Sequence, residues 1–228
     1  MTPVLRPARR RAIVADLPAA AAHPAMRLIR DCLLICALAF AAASPAWANV
    51  APDEFIRQVS VDVIDSVKAD KAIQAGDVAR IVALVDAKVM PHVNFQRMTA
   101  SAVGRNWRNA TPEQQKRLQE EFKTLLVRSY AGALTQVKDQ TVQLKPMRSQ
   151  PGDNEVVVRT EVRGKGEPVQ LDYRLEKSGD SWKIYDVNVL GVWLVEQYRI
   201  SFTQEITAGG IDGLIAKLAE RNKGTPKS

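Results

Sequence analysis

Hydrophobic residues recur at every third or fourth position in the segment that follows residue 50. Within residues 52–71 they stand at positions 55, 56, 59, 63 and 67, and this spacing places them on one face of an amphipathic helix. A similar stripe predicts a second helix over residues 78–90, which Pro91 ends. A third, shorter helix is predicted over residues 94–104, with Asn94 as its N-cap.

The next helix carries the strongest start signal in the chain. Thr111 is a suitable N-cap, Pro112 suits the first helical position, and Gln114 stands where a capping box needs it. One continuous apolar stripe follows, made of Leu118, Phe122, Leu125, Leu126, Tyr130, Ala133, Leu134 and Val137. We therefore predict that residues 52–137 form the helical part of one domain.

After Lys138 the hydrophobic period changes from about 3.6 residues to two. Four strands joined by Gly- and Asp-containing turns are predicted, at Thr141–Met147, Glu155–Arg163, Pro168–Lys177 and Ser181–Leu190. In the third strand, Val169, Leu171, Tyr173 and Leu175 alternate with polar residues, so one face of the sheet is apolar and the other meets water. Residues 141–190 thus predict an antiparallel sheet, and residues 192–221 return to a helical period, broken at Gly209–Gly210.

Together these elements predict an α+β fold, in which long amphipathic helices cover the apolar face of a four-stranded antiparallel sheet. An NTF2-like or cystatin-like layout of this kind encloses a hydrophobic pocket or fills its interior with side chains. Periodicity does not distinguish the wall of a pocket from a solid core.

The N-terminal segment has the features of a secretory signal peptide. Arg27 and Arg30 precede an apolar run over residues 33–43, and Ala46 and Ala48 form an Ala-x-Ala cleavage site. The run is too short for a membrane-spanning helix, which needs about 20 apolar residues. We predict removal of residues 1–48, of which 1–25 are interpreted as a mis-assigned extension upstream of the true start, and a single exported domain over residues 49–228.

This export signal changes the meaning of the charge. The whole chain carries a formal net charge of +7, from 32 basic and 25 acidic residues. Residues 1–48 contain six arginines and two aspartates, so residues 49–228 keep 26 basic and 23 acidic residues and a net charge of +3. Nucleic acid is therefore not an expected partner. Cys32 and Cys36 also lie in the removed segment, so the exported domain has neither a disulfide nor a thiol.

The search for catalytic groups in residues 49–228 favours a protein that is not an enzyme. His92 is the one histidine there, which argues against a multi-histidine metal site, and we expect it in a solvent-facing loop. Asp172 alternates onto the polar side of its strand and is expected to be solvated. Asp186 and Asn188 interrupt the apolar face and are expected to make hydrogen bonds at the strand end. We predict no catalytic residue, no metal and no cofactor.

Several segments, in this order along the chain, resemble the MlaC family, also called the toluene-tolerance auxiliary proteins. They lie at residues 95–98, 103–108, 111–115, 122–126, 130, 182–187 and 191–199. The resemblance spans nearly all of residues 52–222. Trp193 and Asn94 depart from it, since the family usually has Ser and Asp there, and Trp193 is expected to add a bulky ring near the pocket.

The resemblance implies a periplasmic carrier that holds a phospholipid by its acyl chains and maintains outer-membrane lipid asymmetry. The implied partners are an outer-membrane lipoprotein complex and an inner-membrane ABC transporter of the Mla type, and we expect a monomer. Another apolar cargo such as a hopanoid, a pocket enzyme of isomerase type, and a ligand-free adaptor between envelope complexes stay open as alternatives.

Candidate site residues are taken from the apolar stripes and the apolar sheet face. The expected lipid-binding wall consists of Tyr130, Leu134, Val158, Leu171, Tyr173, Trp182, Val192, Leu194, Tyr198 and Phe202. Arg105 and Arg199 are expected to contact the lipid headgroup or a partner protein.

Overall fold

Helices precede and follow a sheet in the computed structural model, which describes residues 50–147, 150 and 152–224. The predicted signal peptide and its cleavage site lie outside these residues. In this part of the chain, none of the helices is long and apolar enough to cross a membrane.

The first helical part contains five α-helices: α1 (Pro52–Ala69), α2 (Lys71–Gln74), α3 (Val78–Leu84), α4 (Phe95–Val103) and α5 (Pro112–Thr135). A π-helical turn at Val85–Val89 and 3-10 turns at Met90–His92 and Gly104–Asn109 connect them. The Asn94 side chain caps α4 by accepting a hydrogen bond from the Arg97 amide at 3.0 Å. Thr111 and Gln114 form the predicted capping box of α5, so both predicted helix starts are confirmed.

The last helix, α6 (Leu194–Lys223), is bent where the sequence predicts a break. Gly210 has φ 67° and ψ −168°, which is not helical, and a residue with a side chain rarely adopts such a positive φ. The predicted separation into two helical segments is therefore confirmed, although the backbone passes from one to the other without a loop.

The sheet has five strands in the order β1 to β5, and each neighbouring pair is antiparallel. Their bounds are Thr141–Leu144, Glu155–Arg163, Val169–Ser178, Ser181–Val189 and Val192–Trp193. The prediction of four strands was wrong because β5 is too short to show a period of two. Leu190 and Gly191, with φ 53° and 89°, form the tight turn that folds β5 back onto β4.

A bulge in β4 changes which residues face each side of the sheet. The pairing with β3 shifts between Arg174 and Leu175, so that Ile184 and Asp186 pair with successive residues and Tyr185 is left over. An extra residue of this kind reverses the alternation beyond it. Asp186 and Asn188 therefore pair with Arg174 and Asp172 on the polar side of the sheet, and the prediction that they interrupt the apolar face was wrong.

Buried apolar side chains form three clusters. The sheet cluster joins α1 to the sheet through Phe55, Ile56, Val156, Val158, Leu175, Trp182 and Ile184. The helical cluster joins α4, α5 and α6 through Phe95, Met98, Ala102, Val103, Leu118, Phe122, Leu125, Val195, Phe202, Leu214 and Leu218. The α3 cluster holds Val67, Ile73, Ile81, Val127 and Ala131.

Candidate functional site

The apolar face of the sheet is covered unevenly along its length. Cross-strand partners share a face, and on this face Val156 pairs with Leu175, Val158 with Tyr173, Thr160 with Leu171, and Val162 with Val169. Exposure rises along the β3 members of that series, from 0% at Leu175 to 37% at Val169, whereas Val158 and Thr160 on β2 are fully buried. The face therefore has a closed end near Leu175 and an open end near Val169.

Helix α1 seals the closed end. Phe55 and Ile56 pack there against Leu175, Trp182 and Ile184. The Trp182 indole N–H donates to the Val50 carbonyl at 2.9 Å, which satisfies the one polar atom of that ring. This end is a solid core.

The open end consists of five apolar residues from four strands: Val162, Val169, Leu171, Val189 and Val192. They share one face because Val162 pairs with Val169, Leu171 with Val189, and Val189 with Val192. Leu171 and Val189 are half-buried, whereas Val192 is 48% exposed. The sequence led us to expect Val192 inside the wall. It lies instead at an exposed edge of the sheet.

Aromatic side chains from α5 and α6 line the opposite side of the interior. The ring centroid of Phe122 lies 4.9 Å from that of Tyr198 and 5.1 Å from that of Phe202, both edge to face. Burial raises the pKa of the Tyr130 hydroxyl, and the neighbouring Tyr198 raises it further. Burial likewise raises the pKa of Tyr198. Both phenols are therefore neutral at physiological pH.

The ten predicted wall residues divide among several environments. Val158, Tyr173 and Trp182 belong to or pack against the sheet cluster, Tyr198 and Phe202 the helical cluster, and Leu134 the α3 cluster. Leu194 is buried, Tyr130 and Leu171 are half-buried, and Val192 is exposed. Val158, Trp182 and Phe202 are packed core, so the half-buried members are the ones that keep surface accessible to a ligand.

The two predicted headgroup cations lie on α6 and beside α5. Arg199 is exposed, and its Nε–H donates to the Ser101 carbonyl at 3.0 Å. Arg105 is exposed in the 3-10 turn before Thr111, the N-cap of α5. The structure therefore ties Arg199 to the end of α4 and places Arg105 at the N-terminal end of α5.

The polar face carries a charged cluster that alternation alone does not predict. Arg174 contacts Asp186 at 2.9 Å and Glu196 at 3.3 Å, and its guanidinium lies 3.9 Å from the centroid of the Trp193 ring. Trp193 therefore stacks on a cation on the polar face, which corrects the expectation of a bulky ring near the pocket.

Asp186 holds the start of α6. Its Oδ1 accepts hydrogen bonds from the Val187 amide at 2.9 Å and the Val195 amide at 3.1 Å, while the N-cap residue Trp193 supplies no side-chain cap. Burial raises the pKa of Asp186, although these amides and Arg174 act in the opposite direction. Sequence reasoning missed this cap, and the broken alternation of β4 was the available signal.

The surroundings of Asn94 explain why an amide, and not a carboxylate, suits this position. Besides capping α4, its Nδ2 donates to Glu176 Oε1 at 2.5 Å, and Arg97 pairs with the same carboxylate. An aspartate would place a second negative charge against Glu176. The departure from the family pattern thus matches its surroundings.

Two sequence expectations about polar side chains are corrected. Asp172 is 6% exposed, not solvated, and accepts hydrogen bonds from Gln170 Nε2 at 3.1 and 3.2 Å. His92 lies in a 3-10 turn with its ring centroid 5.5 Å from that of Phe55. Burial lowers the pKa of His92, and Lys183 lowers it further.

A cavity of about 280 Å³ lies on the polar face, lined by Lys145, Arg159, Glu161, Pro168, Gln170 and Asp172. Its walls are mostly charged or polar, so it is not the hydrophobic pocket that the fold prediction included. Within the described residues, no group of three or more His, Cys, Asp or Glu side chains is arranged to hold a metal ion.

Most of the residues that form this fold also match a known protein family. A family model described as MlaC protein matches residues 57–220. The chain belongs to the MlaC family. The resemblance found in the sequence is thereby confirmed.

Among MlaC-family relatives, the intermembrane phospholipid transport system binding protein MlaC of Haemophilus influenzae is 24% identical over 186 residues, which are 80% of this chain and 87% of that protein. The toluene tolerance protein Ttg2D of Pseudomonas putida is 24% identical over 208 residues, 88% of this chain and 96% of that protein. These relatives are named for lipid binding, transport or solvent tolerance and not for an enzymatic activity.

A solved structure shows the same fold. The phospholipid-binding protein of Ralstonia solanacearum, determined in complex with a phospholipid, is 44% identical, with a TM-score of 0.75. The match covers 76% of this chain and 98% of that one. The α+β class is thus confirmed, with five strands in place of four.

Proposed function

We propose that this MlaC-family protein is a periplasmic carrier that holds a phospholipid by its acyl chains. It moves the lipid between an outer-membrane lipoprotein complex and an inner-membrane ABC transporter complex of the Mla type, and so maintains outer-membrane lipid asymmetry. The observation that carries the proposal is the set of half-buried apolar side chains between sheet and helices, in a chain 44% identical to a protein solved with a phospholipid.

Physical chemistry explains why such a carrier is needed. Exposing a sixteen-carbon acyl chain to water costs about 12 kcal/mol, at about 0.8 kcal/mol per methylene. A lipid monomer therefore crosses an aqueous compartment too rarely to support transport without a protein. Leu171 and Val189 on the sheet and Tyr130 and Leu134 on α5 offer apolar surface for the chain, and none of the four carries a charge.

The positions of the buried carboxylates favour a binding protein over an isomerase. An enzyme acting on an apolar substrate needs an ionisable group that reaches it. The buried carboxylates Asp172 and Asp186 both lie on the polar face of the sheet, where Gln170 and Arg174 engage them. The apolar face presents neither.

Native mass spectrometry of protein purified from the periplasm tests the proposal. We expect an N-terminus at Asn49, a monomer, and one phospholipid per chain that lipid extraction identifies. A hopanoid in the extract would replace the phospholipid as cargo. A protein that is empty and binds no added phospholipid would overturn the proposal and favour the adaptor alternative.

A charge in the apolar wall provides a second test. Leu171→Asp should abolish lipid loading, because burying a carboxylate beside an acyl chain is strongly unfavourable. Ser181→Asp, which adds the same charge at an exposed position of β4, is the matched control and should load normally. Equal loading of the two folded variants would mean that Leu171 does not contact the lipid.

A further inference from the structure

The cavity on the polar face of the sheet contains two opposite charges that do not pair with each other. Asp172 on β3 and Arg159 on β2 are direct cross-strand partners, and both line the cavity. The Cβ atoms of such partners stand about 5 Å apart, which is close enough for an ion pair. Within the described residues, however, the ion pairs include neither side chain. The two charges therefore border the same space without neutralising each other.

The other charged groups of the cavity already have partners. Glu161 pairs with Lys145 and, at 3.0 Å, with Arg163. Asp172 accepts hydrogen bonds of 3.1 and 3.2 Å from the Gln170 side chain, but that amide is neutral. In the part of the chain that the structure describes, Asp172 and Arg159 are thus the charged residues of this cavity without an opposite charge in contact.

Burial makes the missing counter-charge costly at Asp172, which is 6% exposed. A buried carboxylate is unfavourable unless a cation or several hydrogen bonds compensate for its lost hydration. A metal ion would need several oxygen ligands, and no group of three or more His, Cys, Asp or Glu among the described residues is arranged to hold one. An organic ammonium can bind through a single carboxylate and is therefore the cation that fits.

The size and the second charge of the cavity narrow the ligand further. A volume of about 280 Å³ lies just below the range of about 300–1,000 Å³ that is typical of sites for drug-sized ligands, so a small molecule fits. The Arg159 guanidinium suits a carboxylate or a phosphate, because its N–H groups can donate two parallel hydrogen bonds to either group. Pro168 adds an apolar wall for the carbon atoms between the two charges.

We propose that this cavity binds a small zwitterion, with its ammonium on Asp172 and its phosphate or carboxylate on Arg159. Phosphoethanolamine has this chemistry, both as a free molecule and as the headgroup of phosphatidylethanolamine. Asp172 lies on the face of β3 opposite to Leu171 and Tyr173, so the site is separate from the proposed acyl-chain wall. The proposal does not depend on the carrier function.

Isothermal titration calorimetry of lipid-free protein purified from the periplasm tests the site. The probes are O-phosphoethanolamine and β-alanine, which pair an ammonium with a phosphate or a carboxylate. We expect saturable binding of at least one of them. Ethanolamine and inorganic phosphate each match one of the two charges and should bind about tenfold more weakly or worse, because each loses a charged hydrogen-bonding partner.

Two variants locate the binding in the cavity. Asp172→Asn and Arg159→Gln should each weaken zwitterion binding by about tenfold or more. Asp180→Asn and Lys177→Gln are the matched controls, because they remove the same charges from exposed positions outside the cavity, and both should bind as the wild type does. Arg159 is itself exposed, so Arg159→Gln decides the test if the buried variant fails to fold.

Failure of the wild type to bind either zwitterion, or binding that Arg159→Gln leaves unchanged, would overturn the proposal and leave the carrier function standing. Loading the protein with phosphatidylethanolamine or with phosphatidylglycerol distinguishes the two sources of the ligand. Equal zwitterion binding by both loaded forms would identify a free zwitterion as the occupant. Loss of binding after loading with phosphatidylethanolamine alone would identify the headgroup of that lipid.

Discussion

The two ends of the apolar sheet face have the same sequence pattern and opposite environments. At the closed end Leu175 is fully buried, whereas Val169, six positions earlier on the same face of β3, is 37% exposed. Both alternate with polar residues along β3. Phe55 and Ile56 of α1 pack against Leu175, whereas Val169 stays exposed. A period of two therefore identifies the apolar face without showing what covers it.

Shortening one leucine at each end should give the largest contrast. Leu175→Ala leaves a cavity in a packed core and should lower the free energy of unfolding by about 2–5 kcal/mol. Leu171→Ala removes a side chain that is only half-buried and should cost about 1 kcal/mol or less. Urea denaturation of lipid-free protein measures both values. Equal losses would show that the open end is packed as tightly as the closed one.

Replacing Leu190 should separate stability from lipid exchange. Leu190→Asn places a residue that tolerates positive φ in the β4–β5 turn, so the free energy of unfolding should rise by about 1 kcal/mol. It also replaces an exposed apolar side chain beside the open end of the sheet by a polar one and should slow phospholipid uptake from vesicles. Denaturant unfolding and the uptake rate of a fluorescent phospholipid are the measurements.

Leu190→Ala is the matched control for that variant, because alanine keeps the strain of the positive φ and shortens the exposed apolar side chain. It should slow uptake as Leu190→Asn does, with little change in stability. Unchanged uptake in both variants would remove Leu190 from the transfer step.

The smallest expected effect is a pH dependence of the free energy of unfolding. It comes from His92, whose ring lies against Phe55 at the closed end. The pKa of His92 is lowered by burial and by Lys183, so the unfolded chain binds a proton more readily than the folded protein does. Stability is therefore complete above the unfolded pKa of about 6.5 and falls as the pH drops below it. Denaturant unfolding between pH 5.5 and pH 7.5 should show this decline in the wild type, while His92→Gln should remove it. The same slope in both proteins would assign it to another group.

Local signals predicted the elements of the fold well. The capping residues Asn94 and Thr111, the break at Gly210 and the bounds of β2 each depend on neighbours within a few positions, and the structure agrees with all of them. β5 was missed because two residues carry no periodicity. Asp186 was assigned to the wrong face because a bulge depends on pairing with a second strand, which one strand's alternation does not contain.

The candidate site was predicted less completely than the fold. Apolar stripes selected residues that are buried or half-buried apart from the exposed Val192. They did not separate the packed core at Val158, Trp182 and Phe202 from the half-buried positions Tyr130 and Leu171. The departure from the family pattern led us to expect Trp193 near the pocket, whereas it stacks on Arg174. Each of these outcomes depends on which element lies opposite, and that element is distant in sequence.

The sequence by itself determined the α+β class, the helix starts, the apolar face of the sheet and the family, because these follow from local periodicity, capping chemistry and a shared order of motifs. Only the tertiary structure decided which end of that face is sealed, where the charged cluster around Asp186 lies, and which side chains share the cavity on the polar face. The physical reason is that burial is a property of pairs of elements, so a hydrophobic residue becomes core, wall or rim only when the chain brings its neighbour into place.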